Sequence, residues 1–261
     1  LSDAVHSASD VLSTILVIVG VRMAGKQSDA NHEYGHERME CVVAILLSVM
    51  LLLTGLGIGG VGIQKILNST SHPIQAPGML ALWAAIVSIV VKEGMFWYTR
   101  AAAKKINSGA LMADAWHHRS DALSSIGSFA GILGARLGYP ILDPIASLII
   151  CLFIVKVSVD IFKDAIDKMV DKSCDDRTIQ DMRQSVLENP GVAKIDEMRT
   201  RMFGAKAYVD IEIAADGNLT LNEAHKIAES VHSRIEMEFP EVKHCMVHVN
   251  PLNERAMKEL P

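Results

Sequence analysis

Two stretches of this chain carry the same ionisable groups at the same spacing. Leu1–Ile15 and Met112–Ile126 both contain the pattern D-x-x-H-x-x-x-D, with Asp3, His6 and Asp10 in the first and Asp114, His117 and Asp121 in the second. Ser9 and Ser120 also match. On an α-helix, offsets of three and four stack side chains on one face. Each face then offers an imidazole and a carboxylate one turn apart. His6, Asp10, His117 and Asp121 together make a set of ring nitrogens and carboxylate oxygens that suits tetrahedral zinc. Magnesium or calcium would favour an all-oxygen shell. Affinity order alone leaves cobalt, nickel and copper open. A lone H-x-x-x-D is ordinarily a polar helix face. Two matched copies inside apolar segments point instead to a site, because ionisable groups within a membrane are costly and mark function. His118 follows His117 directly, so on a helix it points another way and is not expected to be a ligand.

The elements that must position these groups are long and apolar. Apolar runs cover Val11–Val21, Cys41–Ile63, Gly78–Trp97, Ala122–Leu137 and Ile145–Val159. A bilayer-spanning helix needs about 20 mostly apolar residues. With their flanking polar turns, these runs predict five spans, near 1–23, 40–65, 78–101, 111–137 and 144–166. Glycines crowd positions 55–62 and predict close helix packing. Lys92 and Glu93 fall inside the third span, and read as a structural ion pair, made with each other or with a neighbouring helix. Arg22, Lys26 and Arg38 flank the first loop, Arg100, Lys104 and Lys105 the third, and Lys163, Lys168 and Lys172 follow the last span. Residues 68–77 have no Lys or Arg. Basic loops stay cytoplasmic, which puts the first and third loops and the C-terminal region inside.

Composition agrees with a membrane part joined to a polar part. Half of the 261 residues are hydrophobic, yet 21% are charged. The net charge of -5 argues against a nucleic-acid partner. Cys41, Cys151, Cys174 and Cys245 are scattered without a C-x-x-C pair, so neither a disulfide framework nor a thiolate zinc knuckle is expected. The boundary is read at 170/171, with a transmembrane transport domain over 1–170 and a cytoplasmic domain over 171–261. In the latter, Asp175–Glu188 reads as an amphipathic helix stopped by Asn189-Pro190-Gly191. Lys194–Met202, Ala207–Ile213 and Val242–His248 read as strands. Thr220 and Glu223 form a capping box for a helix running to about Phe239. The order αββαβ predicts a small α+β ferredoxin-like domain.

Further donors stand outside the repeats. Asp29, His32 and His36 place two imidazoles and a carboxylate in one short loop, enough for an open metal site. The alternative is a structured loop in which His36 and Glu40 cap the next helix. The polar domain adds His225, His232, His244 and His248.

The matched His/Asp pairs, the histidine-bearing loop, the segment Asp143-Pro144-Ile145-Ala146-Ser147 and the C-terminal pattern together resemble the cation diffusion facilitator family. The resemblance covers essentially the whole chain. It implies an exporter of divalent transition metals, commonly exchanging them for protons, built as a homodimer with six helices per chain. On that count five spans are present of an expected six, and the family's first helix is expected to lie outside these residues. His6, Asp10, His117 and Asp121 match the family's transport site, and a His and an Asp from each helix resembles its zinc-transporting branch. Asp29, His32 and His36 match a cytoplasmic loop site. Asp210, His225, His232 and His248 match a binuclear site in the soluble domain. Where that pattern has a bridging Asp, this chain has Asn250, a poor bridge between cations, which implies a weaker or mononuclear site. His244 and Cys245 offer extra donors there.

The reading is therefore a divalent-metal efflux transporter, Zn2+ being the expected cargo and possible regulatory ligand, working by alternating access with protons as counter-ion. Its setting is the lipid bilayer of the cell membrane. No enzyme is expected: four ligands on two helices leave no open metal position for hydrolysis, and no H-E-x-x-H occurs. The rival reading is a non-transporting membrane metal sensor or scaffold, or a transporter of cadmium, cobalt, iron or manganese.

Overall fold

The computed structural model describes residues 2–67, 79–136 and 141–252. The chain divides into two units, Leu1–Ile166 and Asp167–Pro261. The first is built from five long helices: α1 (Ser2–Ala24), α2 (Met39–Leu67), α3 (Met79–Lys105), α4 (Gly109–Arg136) and α5 (Leu142–Met169). The residues 68–77 that carry the expected outer loop lie outside the described residues. The link from α3 to α4 is short for a local reason. Asn107 adopts a positive φ of 52°, ending α3. Ser108 Oγ then accepts the backbone N–H of Leu111 at 3.2 Å and starts α4. So brief a connection makes α3 and α4 packed neighbours.

Helix α4 is the hub, packing on α1, α2 and α3. Val17, Val43, Leu47, Ala110 and Ala113 join α1, α2 and α4 in one apolar cluster. Leu51, Ile150 and Ile154 join α2 to α5, with Trp116 of α4 packed against them. Close approach of α2 and α5 depends on glycine: a Cβ at Gly55 would stand 2.8 Å from Ile154 Cγ2, and one at Gly59 2.5 Å from Cys151 Sγ. Gly57 and Gly60 meet nothing within 4 Å. Among the described residues one face of the glycine-rich segment is the packing face, in the small-xxx-small manner of membrane helices.

The bundle is apolar on its outside. Leu53, Val90, Ile149 and Leu152 are 63–72% exposed, while Ser48, Ser120, His117 and Asp121 are buried. Water would penalise such a surface and a lipid tail would not. Among the described residues, α2 and the stretch Pro144–Met169 of α5 are long and apolar enough to cross a membrane unaided. Among the described residues, Val11–Ala24 of α1 is a further apolar stretch. Asp114, Arg119 and Asp121 interrupt the apolar run of α4, and Lys92 and Glu93 that of α3. The groups that spoil the hydropathy are those that could do chemistry.

The second unit contains α6 (Asp176–Leu187), β1 (Lys194–Phe203), β2 (Lys206–Asp216), α7 (Leu221–Glu238) and β3 (Val242–Leu252). Its sheet has the order β1-β2-β3, with β1 antiparallel and β3 parallel to β2. The expected αββαβ order holds. A complete ferredoxin-like β-α-β-β-α-β unit has one more strand; among the described residues β2 and β3 pair directly. Met182 and Val186 of α6, Val231 and Ile235 of α7, Val209, Ile211 and Ile213 of β2 and Cys245 of β3 form the core on one face. The capping box is present: Thr220 Oγ1 accepts from Glu223 N, and the Glu223 carboxylate accepts from Thr220 N.

Candidate metal centres

Helix α4 presents Asp114, His117 and Asp121 at offsets of three and four, all buried, with exposures of 8%, 4% and 4%. Burial of a carboxylate–imidazole row inside an otherwise apolar bundle is expensive unless a cation or hydrogen bonds compensate. Asp114 takes one such contact from its own helix, with His118 Nε2 at 3.5 Å from Oδ2. Asp114 Oδ1 is buried without a hydrogen-bond partner. His118 is thus engaged beside the row. The backbone of His6 and Asp10 lies in α1, which packs on α4. Their side chains lie outside the described residues.

A cation from α3 reaches the row. Lys92 Nζ lies 3.3 Å from Asp121 Oδ2. Its neighbour Glu93 also reaches to α4, with its Oε1 3.4 Å from Arg119 Nη2. Trp97 Nε1–H donates to the same Glu93 oxygen at 3.1 Å, and the Arg119 guanidinium lies over the Phe96 ring at 4.4 Å. The Lys92-Glu93 pair therefore neutralises a neighbouring helix instead of itself. What the sequence reading missed is the identity of the partner: one of the two charges is spent on a proposed metal ligand. The intramembrane lysine was the available signal.

The loop between α1 and α2 brings its three donors together. Asp29 Oδ1 is 3.3 Å from His32 Nδ1, and Asp29 Oδ2 is 3.6 Å from His36 Nε2. One ligand atom from each lies within 4.8 Å of the others. The backbone sets this up: Asp29 and His32 exchange N–H···O bonds of 3.1 and 3.2 Å. Asp29 Oδ1 accepts from the N–H groups of Asn31 and His32 at 3.1 and 2.9 Å. The Lys26 ammonium, followed by these amides, holds the Asp29 carboxyl well below the usual carboxylate range. His36 is 9% exposed, and its Nδ1 is buried without a hydrogen-bond partner. An ionised carboxylate flanked by two imidazoles can hold a divalent ion through three protein ligands.

The polar unit divides its expected ligands. Asp210 and His248 line one shallow depression on the open face of the sheet, with Glu197, Arg199, Glu212 and Met246. His225 and His232 stand on α7 and are not among its lining residues. His232 is gathered instead with Glu236 and His244. Asn250 has its own role: its Nδ2 donates to Asp196 Oδ2 at 3.0 Å and to Glu212 Oε2 at 3.4 Å. A neutral amide thus tethers two carboxylates that an aspartate would repel. The Asp196 carboxyl is held below its ordinary range by Lys194 first and Asn250 second. Sequence reading joined neither Asp196 nor Glu212 to Asn250, since strand pairing had to bring them together.

Comparison with known proteins agrees with this architecture. The cation efflux transmembrane domain matches residues 1–170, and the cation efflux protein cytoplasmic domain matches residues 174–252. Metal tolerance protein C1 of Arabidopsis thaliana is 34% identical over 96% of this chain, which spans 56% of that protein. The manganese efflux system protein MneP of Bacillus subtilis is 31% identical, with 97% of this chain and 86% of MneP aligned. The solved MamM-CTD superposes on 29% of this chain and 96% of its own, at 21% identity and a TM-score of 0.29. With a helical membrane unit matched along its length and a cytoplasmic unit matched after it, the chain belongs to the cation efflux family, whose members are membrane transporters of divalent metal cations rather than enzymes.

Proposed function

We propose that this chain carries divalent metal out of the cytoplasm, that zinc is its cargo, and that His6, Asp10, His117 and Asp121 hold the ion in transit. One observation carries the reading: a buried imidazole–carboxylate row on α4, inside a bundle whose outer surface is apolar. Borderline imidazole nitrogens favour zinc over manganese, while carboxylates alone favour harder ions. Asp29, His32 and His36 serve as a cytoplasmic antechamber, and Asp210 and His248 as a site in the cytoplasmic domain, whose family match is to a dimerisation module. His225 and His232 join the latter only through a partner chain or another arrangement. A second copy of the chain is the expected partner.

The cycle is alternating access. Metal enters from the cytoplasm and binds deprotonated His6, Asp10, His117 and Asp121. Helix rocking turns the site outward, and protons replace the metal because both compete for the same lone pairs. The two histidines are the natural coupling groups, since an imidazole nitrogen can hold either a proton or a metal ion.

Manganese is the second reading, favoured by the likeness to MneP, a protein named for manganese efflux. Initial uptake of zinc and of manganese into inverted vesicles bearing the full-length protein, under an imposed proton gradient, separates the two. Zinc uptake in excess of manganese, reversed toward manganese by His6→Asp or His117→Asp, is the expected result. Manganese uptake in excess of zinc by the unaltered protein would overturn the zinc assignment.

A further inference from the structure

We infer that His232, Glu236 and His244 form a separate binding site for a borderline divalent transition-metal ion, zinc by preference, at the junction of α7 and β3. His232 and Glu236 are one turn apart on α7, and His244 comes from the start of β3. Glu236 Oε1 lies 3.4 Å from His232 Nε2 and 3.4 Å from His244 Nδ1. One ligand atom from each residue lies within 4.8 Å of the other two.

The tautomer of His232 decides what these distances mean. His232 Nδ1 stands 2.6 Å from the carbonyl oxygen of Cys245. A carbonyl only accepts, so Nδ1 carries the proton. In the neutral ring, Nε2 then presents a lone pair, and that lone pair faces a carboxylate oxygen. Two acceptors then confront each other, and either a proton on Nε2 or a metal ion between them makes the arrangement favourable. The Glu236 oxygen is itself fixed, accepting the Cys245 backbone N–H at 3.1 Å. A single peptide segment thus orients two ligands from behind, as outer hydrogen bonds do in metal sites.

The third ligand arrives through an irregularity. Pairing of β2 with β3 steps from Ala207↔Val242 to Tyr208↔His244, skipping Lys243. Such a bulge re-aims the side chains beside it, and here His244 reaches α7. The nearby Cys245 thiol is not a donor. It is 1% exposed and packed into the apolar core of the domain. The donor set is therefore two imidazoles and one carboxylate. Side-chain exposures of 30%, 49% and 32% for His232, His244 and Glu236 leave room for water in a fourth position. Imidazole-rich ligation favours zinc over manganese or magnesium. A bound ion would clamp the C-terminal half of α7 to an edge strand, in a domain that the transport row does not include.

The test is residue-resolved histidine modification of the full-length protein in detergent. Diethyl pyrocarbonate is applied with zinc or magnesium, and adducts are located by peptide mass spectrometry. Zinc, not magnesium, is expected to protect His232 and His244 together. His244→Gln alters a half-exposed side chain, and should raise the zinc concentration that half-protects His232 by at least about tenfold. The same protection should persist when the transport row is disabled by His117→Ala and Asp121→Ala. Absence of zinc protection at both rings, or protection of His232 indifferent to His244→Gln, would overturn the site.

Discussion

Replacing Lys92 by methionine should tighten metal binding at the transport row. The 3.3 Å approach of Lys92 Nζ to Asp121 Oδ2 corresponds to about 5 kcal/mol of direct attraction at an effective dielectric of about 20. Desolvation of both charges offsets most of this, and Lys92 keeps contact with its surroundings at 24% exposure. A residual of about 1.4–2.8 kcal/mol is what an entering ion must overcome to claim the carboxylate, equivalent to roughly tenfold to a hundredfold in affinity. The side chain of methionine fills similar space without charge. Titration calorimetry of zinc into the detergent-solubilised full-length protein should therefore give a Kd lower by that factor in Lys92→Met, and close to the parent value in Lys92→Arg. Vesicle turnover should fall in Lys92→Met, because an ion held more tightly leaves more slowly. A Kd unchanged or raised in Lys92→Met would refute the reasoning, since the ammonium would then not compete for Asp121.

Three further outcomes follow from the packing and caps. Gly59→Val places a branched side chain where Cys151 Sγ stands 2.5 Å from the new Cβ; it should destabilise the bundle by about 1–3 kcal/mol in detergent melts, whereas Gly57→Val, which meets nothing within 4 Å, should be neutral. Thr220→Ala removes the α7 cap and should cost about 1 kcal/mol in chemical denaturation of the cytoplasmic unit. The Glu223 carboxyl is held below the ordinary glutamate range by the backbone N–H of Thr220 and then by its hydroxyl. Its folded pKa is depressed, so its contribution is present above the unfolded value and disappears as pH falls through the folded one; Glu223→Gln should therefore flatten the acid limb of the stability–pH curve.

Much of the fold could be read from the residues because local rules govern it. The D-x-x-H-x-x-x-D spacing makes Asp114, His117 and Asp121 share a helix face, and the structure buries that face. Thr220 and Glu223 marked the start of α7 through a capping box that depends on four consecutive residues. The glycine cluster announced close packing, but not that Gly55 and Gly59 would face α5 while Gly57 and Gly60 faced away; a helix face is chosen by its neighbour. The partner of Lys92 was equally hidden, since Asp121 stands 29 positions further along the chain and the return of α4 beside α3 joins them. In the cytoplasmic unit, the histidines were visible as a group and the sheet then sorted them. His248 went to the open face beside Asp210, and His232 went to Glu236 and His244. Strand alternation, helix phase and a skipped residue in β3 made that division, and none of them is a property of histidine content.

The central claim is that metal crosses the membrane on the α4 row and its counterpart on α1. Its most direct test is initial zinc uptake into inverted vesicles, under an imposed proton gradient, by the full-length protein carrying His6→Ala, Asp10→Ala, His117→Ala or Asp121→Ala singly. Each variant should reach the membrane in normal amount and lose zinc uptake, because each removes one of four ligands. Parental uptake in all four would contradict the account and move the transport site to Asp29, His32 and His36.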